Sequence, residues 1–194
     1  DVGGIGMGAP GLVDRKEGST KCLINFPGMW RDIPVRKILR TYVDLPFYIL
    51  NDARVGTLGE KYFGAGKDVS SMVFFTLGTG IGGGAVVNNQ LVLGPYGCAG
   101  ELGHQTIIPQ GGLPCNCGST GCLETLASGP AMVGEAMRLL NQGAETSLYE
   151  KISGDFNKLT PAVIAEAANE GDALSRRIVE RTGYYLGIGV ANMV

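Results

Sequence analysis

The chain lacks a strong net charge of either sign and a long apolar run, and it has a single histidine. Sixteen Lys and Arg against 18 Asp and Glu leave a net charge of −2. No basic face therefore invites nucleic acid or an anionic membrane. No stretch approaches the ~20 apolar residues of a membrane-spanning helix, and the N-terminus has no basic-then-apolar signal pattern. The expectation is a cytoplasmic protein without membrane contact. Repeats and low-complexity tracts are absent. So is the Walker A phosphate loop, because Gly66-Lys67 is followed by Asp68 and lacks the upstream glycine. Glycine is in excess: 32 residues of 194, more than twice the usual ~7%. They come in short runs without a fixed period, which excludes a collagen-like chain and points to tight loops around ligands. With 44% hydrophobic residues, the chain can bury a core of one or two domains.

The pattern along the chain is α/β. Residues 1–11 look like an apolar strand ending in a glycine-proline loop. Residues 33–42 have helical spacing, with Asp32 as N-cap and Pro34 in the first turn. A buried strand over 46–50 leads into Asn51-Asp52 and a helix from about 53 to 63. A strong strand, 71–77, runs into Gly78-Thr-Gly-Ile-Gly-Gly-Gly84, after which 85–87, Asn88-Asn89 and 90–93 read as a hairpin. Residues 94–124 show no regular period. Helices follow across 130–140, from the N-cap Thr160 with Pro161, and after Asp172. The composition shift divides the chain near residue 125, into an α/β region (residues 1–125) and a helical region (residues 126–194).

Four groups of residues can carry chemistry. His104, Cys115, Cys117 and Cys122 fall in a glycine-rich loop, and one imidazole with three thiolates suits tetrahedral Zn2+. Four protein ligands leave no open position, so such a site is structural; the plainer alternative is scattered thiols or disulfides. Cys22 and Cys98 lie outside this pattern and read as buried small hydrophobes. The Gly78–Gly84 run formally matches a dinucleotide fingerprint, but it opens a hairpin instead of a helix. A glycine loop between strands offers backbone N–H groups, and Thr79 a hydroxyl, to phosphates; it can equally be a simple bend. Asn51-Asp52 at a strand end is either an ordinary N-cap pair or a carboxylate at the ligand edge of a sheet, able to accept a hydroxyl proton during phosphoryl transfer. Glu101 and Glu124, at the two edges of the cysteine loop, are rigid partners for a polyhydroxylated ligand or solvated surface carboxylates.

Taken in order, Gly8-Ala-Pro-Gly11, Asn51-Asp-Ala53, Leu77-Gly-Thr-Gly-Ile-Gly-Gly-Gly84, Glu101-Leu-Gly-His104 and Cys115-x-Cys-Gly-x-x-Gly-Cys-Leu-Glu124 resemble the ROK family of repressors, open reading frames and sugar kinases. Within that family they are most similar to bacterial ATP-dependent glucokinases. Asn25-Phe-Pro-Gly-Met-Trp30 is similar to a further family stretch. The resemblance implies a partial actin/hexokinase-like (ribonuclease H-like) fold with a zinc-binding loop and C-terminal helices. It implies Asp52 as the general base on a hexose hydroxyl, the 6-hydroxyl of a glucose-like sugar. Sugar contacts would come from Asn51, Asp52, Glu101, His104 and Glu124. Gly78, Thr79, Gly80, Gly82, Gly83 and Gly84 would bind the phosphates of ATP, accompanied by Mg2+. His104, Cys115, Cys117 and Cys122 would hold structural Zn2+, and the protein would be a homodimer.

The chain departs from the family pattern in three ways. It begins downstream of an Asp-x-Gly-Gly-Thr phosphate loop, and it stops before a second glycine-rich loop around adenosine. Arg54 stands where Asn is usual, and Cys98 where Ala is usual. The expectation is a fragment that cannot complete phosphoryl transfer alone. A sugar-sensing transcriptional regulator of the same family and a stand-alone zinc-stabilised sugar-binding module are the competing readings. Retention of Asn51-Asp52 together with the glycine loop favours the kinase.

Overall fold

The computed structural model describes residues 2–23 and 30–194, so most of the Asn25–Trp30 motif lies outside the described residues. The elements run β1 (Ile5–Ala9), β2 (Leu12–Asp14), β3 (Ser19–Cys22), α1 (Val35–Leu39), β4 (Phe47–Asn51), α2 (Asp52–Phe63), β5 (Met72–Leu77), β6 (Ile81–Val87) and β7 (Gln90–Leu91). They continue with α3 (Glu124–Ala127), α4 (Gly129–Asn141), α5 (Leu148–Lys151), α6 (Pro161–Asn169) and α7 (Ala173–Ala191). Short 3-10 turns cover Leu102–His104 and Phe156–Lys158. No helix among the described residues is long and apolar enough to cross a membrane.

The chain divides into two units, Asp1–Phe75 with Gly83–Glu101, and Thr76–Gly82 with Leu102–Val194. In the first, β1 and β4 pair in parallel, with Ala9 opposite Asn51. Ala9, Leu23, Phe47 and Ile49 form the core, packed by Ile5, Met7, Val13, Val35 and Leu39. The alternation of buried and exposed residues along β4 is the period-2 pattern of a strand with one covered face. β2 and β3 form an antiparallel pair. α1 is shorter than its sequence pattern predicts. Asp32 does not cap it: Pro34 holds the N-cap position without a side-chain bond, while Asp32 takes a positive φ of 50° and its carboxylate faces Lys21 at 3.3 Å.

The second unit is built on helices. Ala136, Leu139, Leu148, Ile152, Leu159, Ile164, Ala167, Leu174 and Ile178 make its core. Side-chain caps set the helix starts: Ser128 accepts from Ala131 N–H, Thr160 from Val163 N–H and Asp172 from Ser175 N–H, each satisfying a donor that has no partner within its helix. The Asp172 carboxylate also receives the Thr146 hydroxyl and the Ser147 N–H, both at 2.9 Å. Burial alone would raise this carboxyl, but the Ser175, Ser147 and Thr146 donors outweigh it and bring its pKa down to about 2.

β5, β6 and β7 form one sheet in that order. The Asn88-Asn89 turn between β6 and β7 has φ of 50° and 62°, the paired positive values that suit a two-residue hairpin turn.

Candidate functional site

Asn51 ends β4, and Asp52 opens α2. Asn51 takes the N-cap role through its side chain, which accepts from Ala53 N–H at 3.1 Å and Arg54 N–H at 3.3 Å. Its amide group donates in the other direction, to the Gly11 carbonyl at 3.2 Å, joining the loop after β1 to the end of β4. Asp52 is exposed, and its carboxylate accepts the Ala53 N–H at 2.8 Å. A carboxylate at the first position of a 12-residue helix is favoured by the helix dipole. The aspartate thus stands at the carboxyl edge of a parallel strand pair, the edge where ligands bind in open α/β sheets.

Also in the first unit, Glu101 pairs with Arg54. The guanidinium Nη2 lies 2.9 Å from Glu101 Oε1, and Nε donates to the Ala99 carbonyl at 3.0 Å. The sequence marks Arg54 as a departure from the family pattern; what it does not announce is the burial of this long cation in the first turn of a helix and its pairing with Glu101.

The Gly78–Gly84 run is not one uniform loop. Its turn is short: Gly78 N–H donates to Gly80 O at 3.0 Å, and Gly78 and Thr79 are exposed. Gly82, Gly83 and Gly84 already belong to β6. A Cβ on Gly84 would come within 2.4 Å of Thr57 Oγ1, and Gly100 lies directly against Gly84. These glycines let α2 and the 99–101 segment approach a strand closely.

In the second unit, the turn is gripped at Ile81. Its N–H donates to Glu124 Oε2 at 2.8 Å. Its carbonyl lies so close to Gly103 that a Cβ there would sit 2.0 Å away. Gly129 N–H donates to Gly78 O at 2.9 Å. Gly103 immediately precedes His104, and Glu124 follows Cys122 by two residues.

The ligand atoms of His104, Cys115, Cys117 and Cys122 all lie within 4.8 Å of one another. His104 Nδ1 is 3.5 Å from Cys115 Sγ, and Cys117 Sγ is 3.7 Å from Cys122 Sγ. Tetrahedral zinc, with bonds of ~2.3 Å to sulfur and ~2.0 Å to nitrogen, sets its ligands ~3.5–3.8 Å apart. The donor set and these two separations fit that ion. Burial pushes the Cys122 thiol up to about 12, while the Ser119 N–H holds Cys117 below the usual thiol range. A cation must therefore displace a firmly held proton at Cys122. Cys98 is exposed, contrary to its expected burial, with Sγ 3.5 Å from the Tyr96 carbonyl. Cys22 is half-buried.

Comparison with known proteins accords with these features. The ROK family pattern matches residues 1–194. A glucokinase of Halalkalibacterium halodurans is 40% identical over 196 residues, covering 100% of this chain and 58% of the relative. A xylose repressor of Caldicellulosiruptor bescii is 38% identical over 191 residues, covering 98% of this chain and 47% of the repressor. The crystal structure of a ROK family glucokinase from Streptomyces griseus, in complex with glucose and AMPPNP, matches with a TM-score of 0.83 at 36% identity, over 100% of this chain and 62% of that one. The chain spans about half the length of the curated relatives it matches. Its fold is the actin/hexokinase-like one of ROK sugar kinases. By family pattern, sequence identity and fold alike, the chain belongs to the ROK family.

Proposed function

We propose that this chain is the sugar- and metal-binding portion of an ATP-dependent hexose kinase of the glucokinase type. The observation that carries the reading is Asp52, an exposed carboxylate at the N-terminus of α2, beside Asn51 at the end of a parallel strand. The 40% identity to a glucokinase supports it. In this reading the Asp52 carboxylate accepts the proton of the sugar 6-hydroxyl as that oxygen attacks the γ-phosphorus of ATP. ADP leaves in line, and Mg2+ accompanies the nucleotide. The candidate sugar contacts are Asn51, Asp52, Glu101, His104 and Glu124. The turn at Gly78, Thr79 and Gly80, exposed at its first two residues, faces the phosphates; Gly82, Gly83 and Gly84 keep that strand thin enough to pack. His104, Cys115, Cys117 and Cys122 hold zinc, which closes the 102–124 loop and takes no part in the transfer. A cytoplasmic setting and a homodimer belong to the same proposal, as does the division into an α/β region over residues 1–125 and a helical region over residues 126–194.

A sugar-sensing repressor is the second reading, favoured by the 38% identity to a xylose repressor over nearly the whole chain. A coupled assay for ADP release by the full-length protein, over a panel of hexoses, separates the two. The kinase reading expects turnover on at least one hexose and a fall of about 10²- to 10⁴-fold in Asp52→Asn, with metal content unchanged. Hexose binding without ADP release on any sugar replaces it with the repressor.

A further inference from the structure

Arg54 is 2% exposed, which is costly for a guanidinium unless its charge and donors are matched. Both matches come from one short segment. Nε donates to the Ala99 carbonyl at 3.0 Å, and Nη2 pairs with Glu101 Oε1 at 2.9 Å. The Glu101 side chain keeps 35% of its surface exposed. The ion pair therefore fixes one edge of this carboxylate without covering all of it. The backbone of Arg54 is fixed in turn, because its N–H is capped by the Asn51 side chain, and Asp52 stands between the two residues. One helical turn thus sets three groups in the first unit: Asn51 and Asp52 directly, and Glu101 through the Arg54 side chain.

A buried ion pair kept only for stability is replaceable by apolar packing of similar volume, often without loss. Here the pair ends on a carboxylate that still meets solvent, which is the arrangement of a held ligand group. We propose that Arg54 is a positioning residue for sugar recognition: it locks Glu101 in one orientation, so that the open part of the carboxylate accepts a charge-assisted hydrogen bond from a hexose hydroxyl. The inference rests on the hexose reading above and deepens it. Arg54 touches neither the sugar nor the phosphates, so its effect falls on sugar affinity and on discrimination between hexose epimers. The rate of transfer from bound sugar is left nearly intact. Lysine, a single point charge without the planar fork, replaces only part of this.

The test is glucose binding by calorimetry, with hexose kinetics alongside, on the full-length protein and its Arg54→Met, Arg54→Lys, Glu101→Gln and Arg54→Met/Glu101→Gln variants. Arg54→Met is expected to raise the glucose Kd and KM by about 10- to 100-fold, the usual range for losing a group that orients a ligand residue, with kcat within a few-fold. Arg54→Lys should recover part of the loss. Glu101→Gln should cost much less on the Arg54→Met background than on the wild type, because the residue is then no longer held. Should Arg54→Met fail to fold, Arg54→Lys and Glu101→Gln carry the same comparison. Unchanged glucose affinity in both folded Arg54 variants, or an equal loss of kcat and affinity, overturns the inference while leaving the hexose reading in place. No hexose binding by the wild type overturns both.

Discussion

Glu101 and Glu124 are each held at one carboxylate oxygen, but by opposite means. In the first unit Glu101 meets the side chain of Arg54; in the second Glu124 meets the main-chain N–H of Ile81. A side-chain partner is an ion that has left water, matched here by Glu101 and the Ala99 carbonyl, so the pair depends on residue type at both ends. A main-chain partner is present whatever residue occupies position 81, so that contact depends on where the backbone runs. The course of that backbone is tied to the metal-ligand loop, through Gly103 on one side and the Cys122-Leu123-Glu124 segment on the other. The first carboxylate is tuned by chemistry, the second by geometry.

Stripping the proposed zinc should break the geometric side most severely. Chelation at neutral pH, or Cys122→Ser, is expected to remove the ion and lower the thermal midpoint by ~10 °C or more, since structural zinc contributes folding energy directly. Metal analysis with a melting curve checks this. The same metal should leave as the pH falls and protons compete for the thiolates, Cys122 above all. Next in size comes the direct contrast between the carboxylates. Glu101→Ala leaves a buried guanidinium without its ion partner and should cost about 3–5 kcal/mol, whereas Glu124→Ala leaves one amide unsatisfied and should cost about 1–3 kcal/mol. Denaturant unfolding of the two variants ranks them, and equal losses would erase the distinction drawn between them.

The smallest effect is acid sensitivity within the second unit. The Asp172 carboxyl is held at about 2, below its ordinary 3.8. Its contribution is fully present above pH ~4 and is lost as the pH falls from there toward 2, up to roughly 2 kcal/mol. Asp172→Asn should flatten that stretch of the stability–pH curve, measured by unfolding at fixed pH steps.

Much of the second unit was legible in the sequence because its determinants are local. The four candidate metal ligands lie within 19 residues, and Ser128, Thr160 and Asp172 sit beside the helices they cap. Asn51 was legible in both of its readings at once, as an N-cap and as a residue at the ligand edge. The missed features are those that depend on distant partners. Arg54 and Glu101 are 47 residues apart, and nothing in either neighbourhood announces the other. The short strand β3 carries buried Ser19 and Thr20, whose polarity hides a strand from any hydrophobic pattern; the Thr20 hydroxyl is satisfied by donating to the Trp30 carbonyl at 2.6 Å and accepting from Ile33 N–H at 3.1 Å. Gly82–Gly84 read as loop because glycine has no side chain to register a period. What makes them strand is the pairing of β6 within the β5-β6-β7 sheet, which is a tertiary fact. α5, four residues long, is buried at Leu148, and Ile152 just after it, only through the helices around it.

The grip on Ile81 also limits how this protein can vary in length. Its carbonyl is set against the residue before one metal ligand, and its N–H against the residue two after another. A residue inserted between Gly103 and His104, or between Cys122 and Glu124, shifts one jaw of the clamp by an inter-residue step of about 3.8 Å while the other stays. Between His104 and Cys115, residues 105–108 and 112–114 are tied to the segment around Gly121, whereas Pro109, Gln110 and Gly111 are exposed and carry no such constraint. Length variation among relatives, and any grafted loop in an engineered version, is expected there and not in the short spacers beside Gly103 and Glu124.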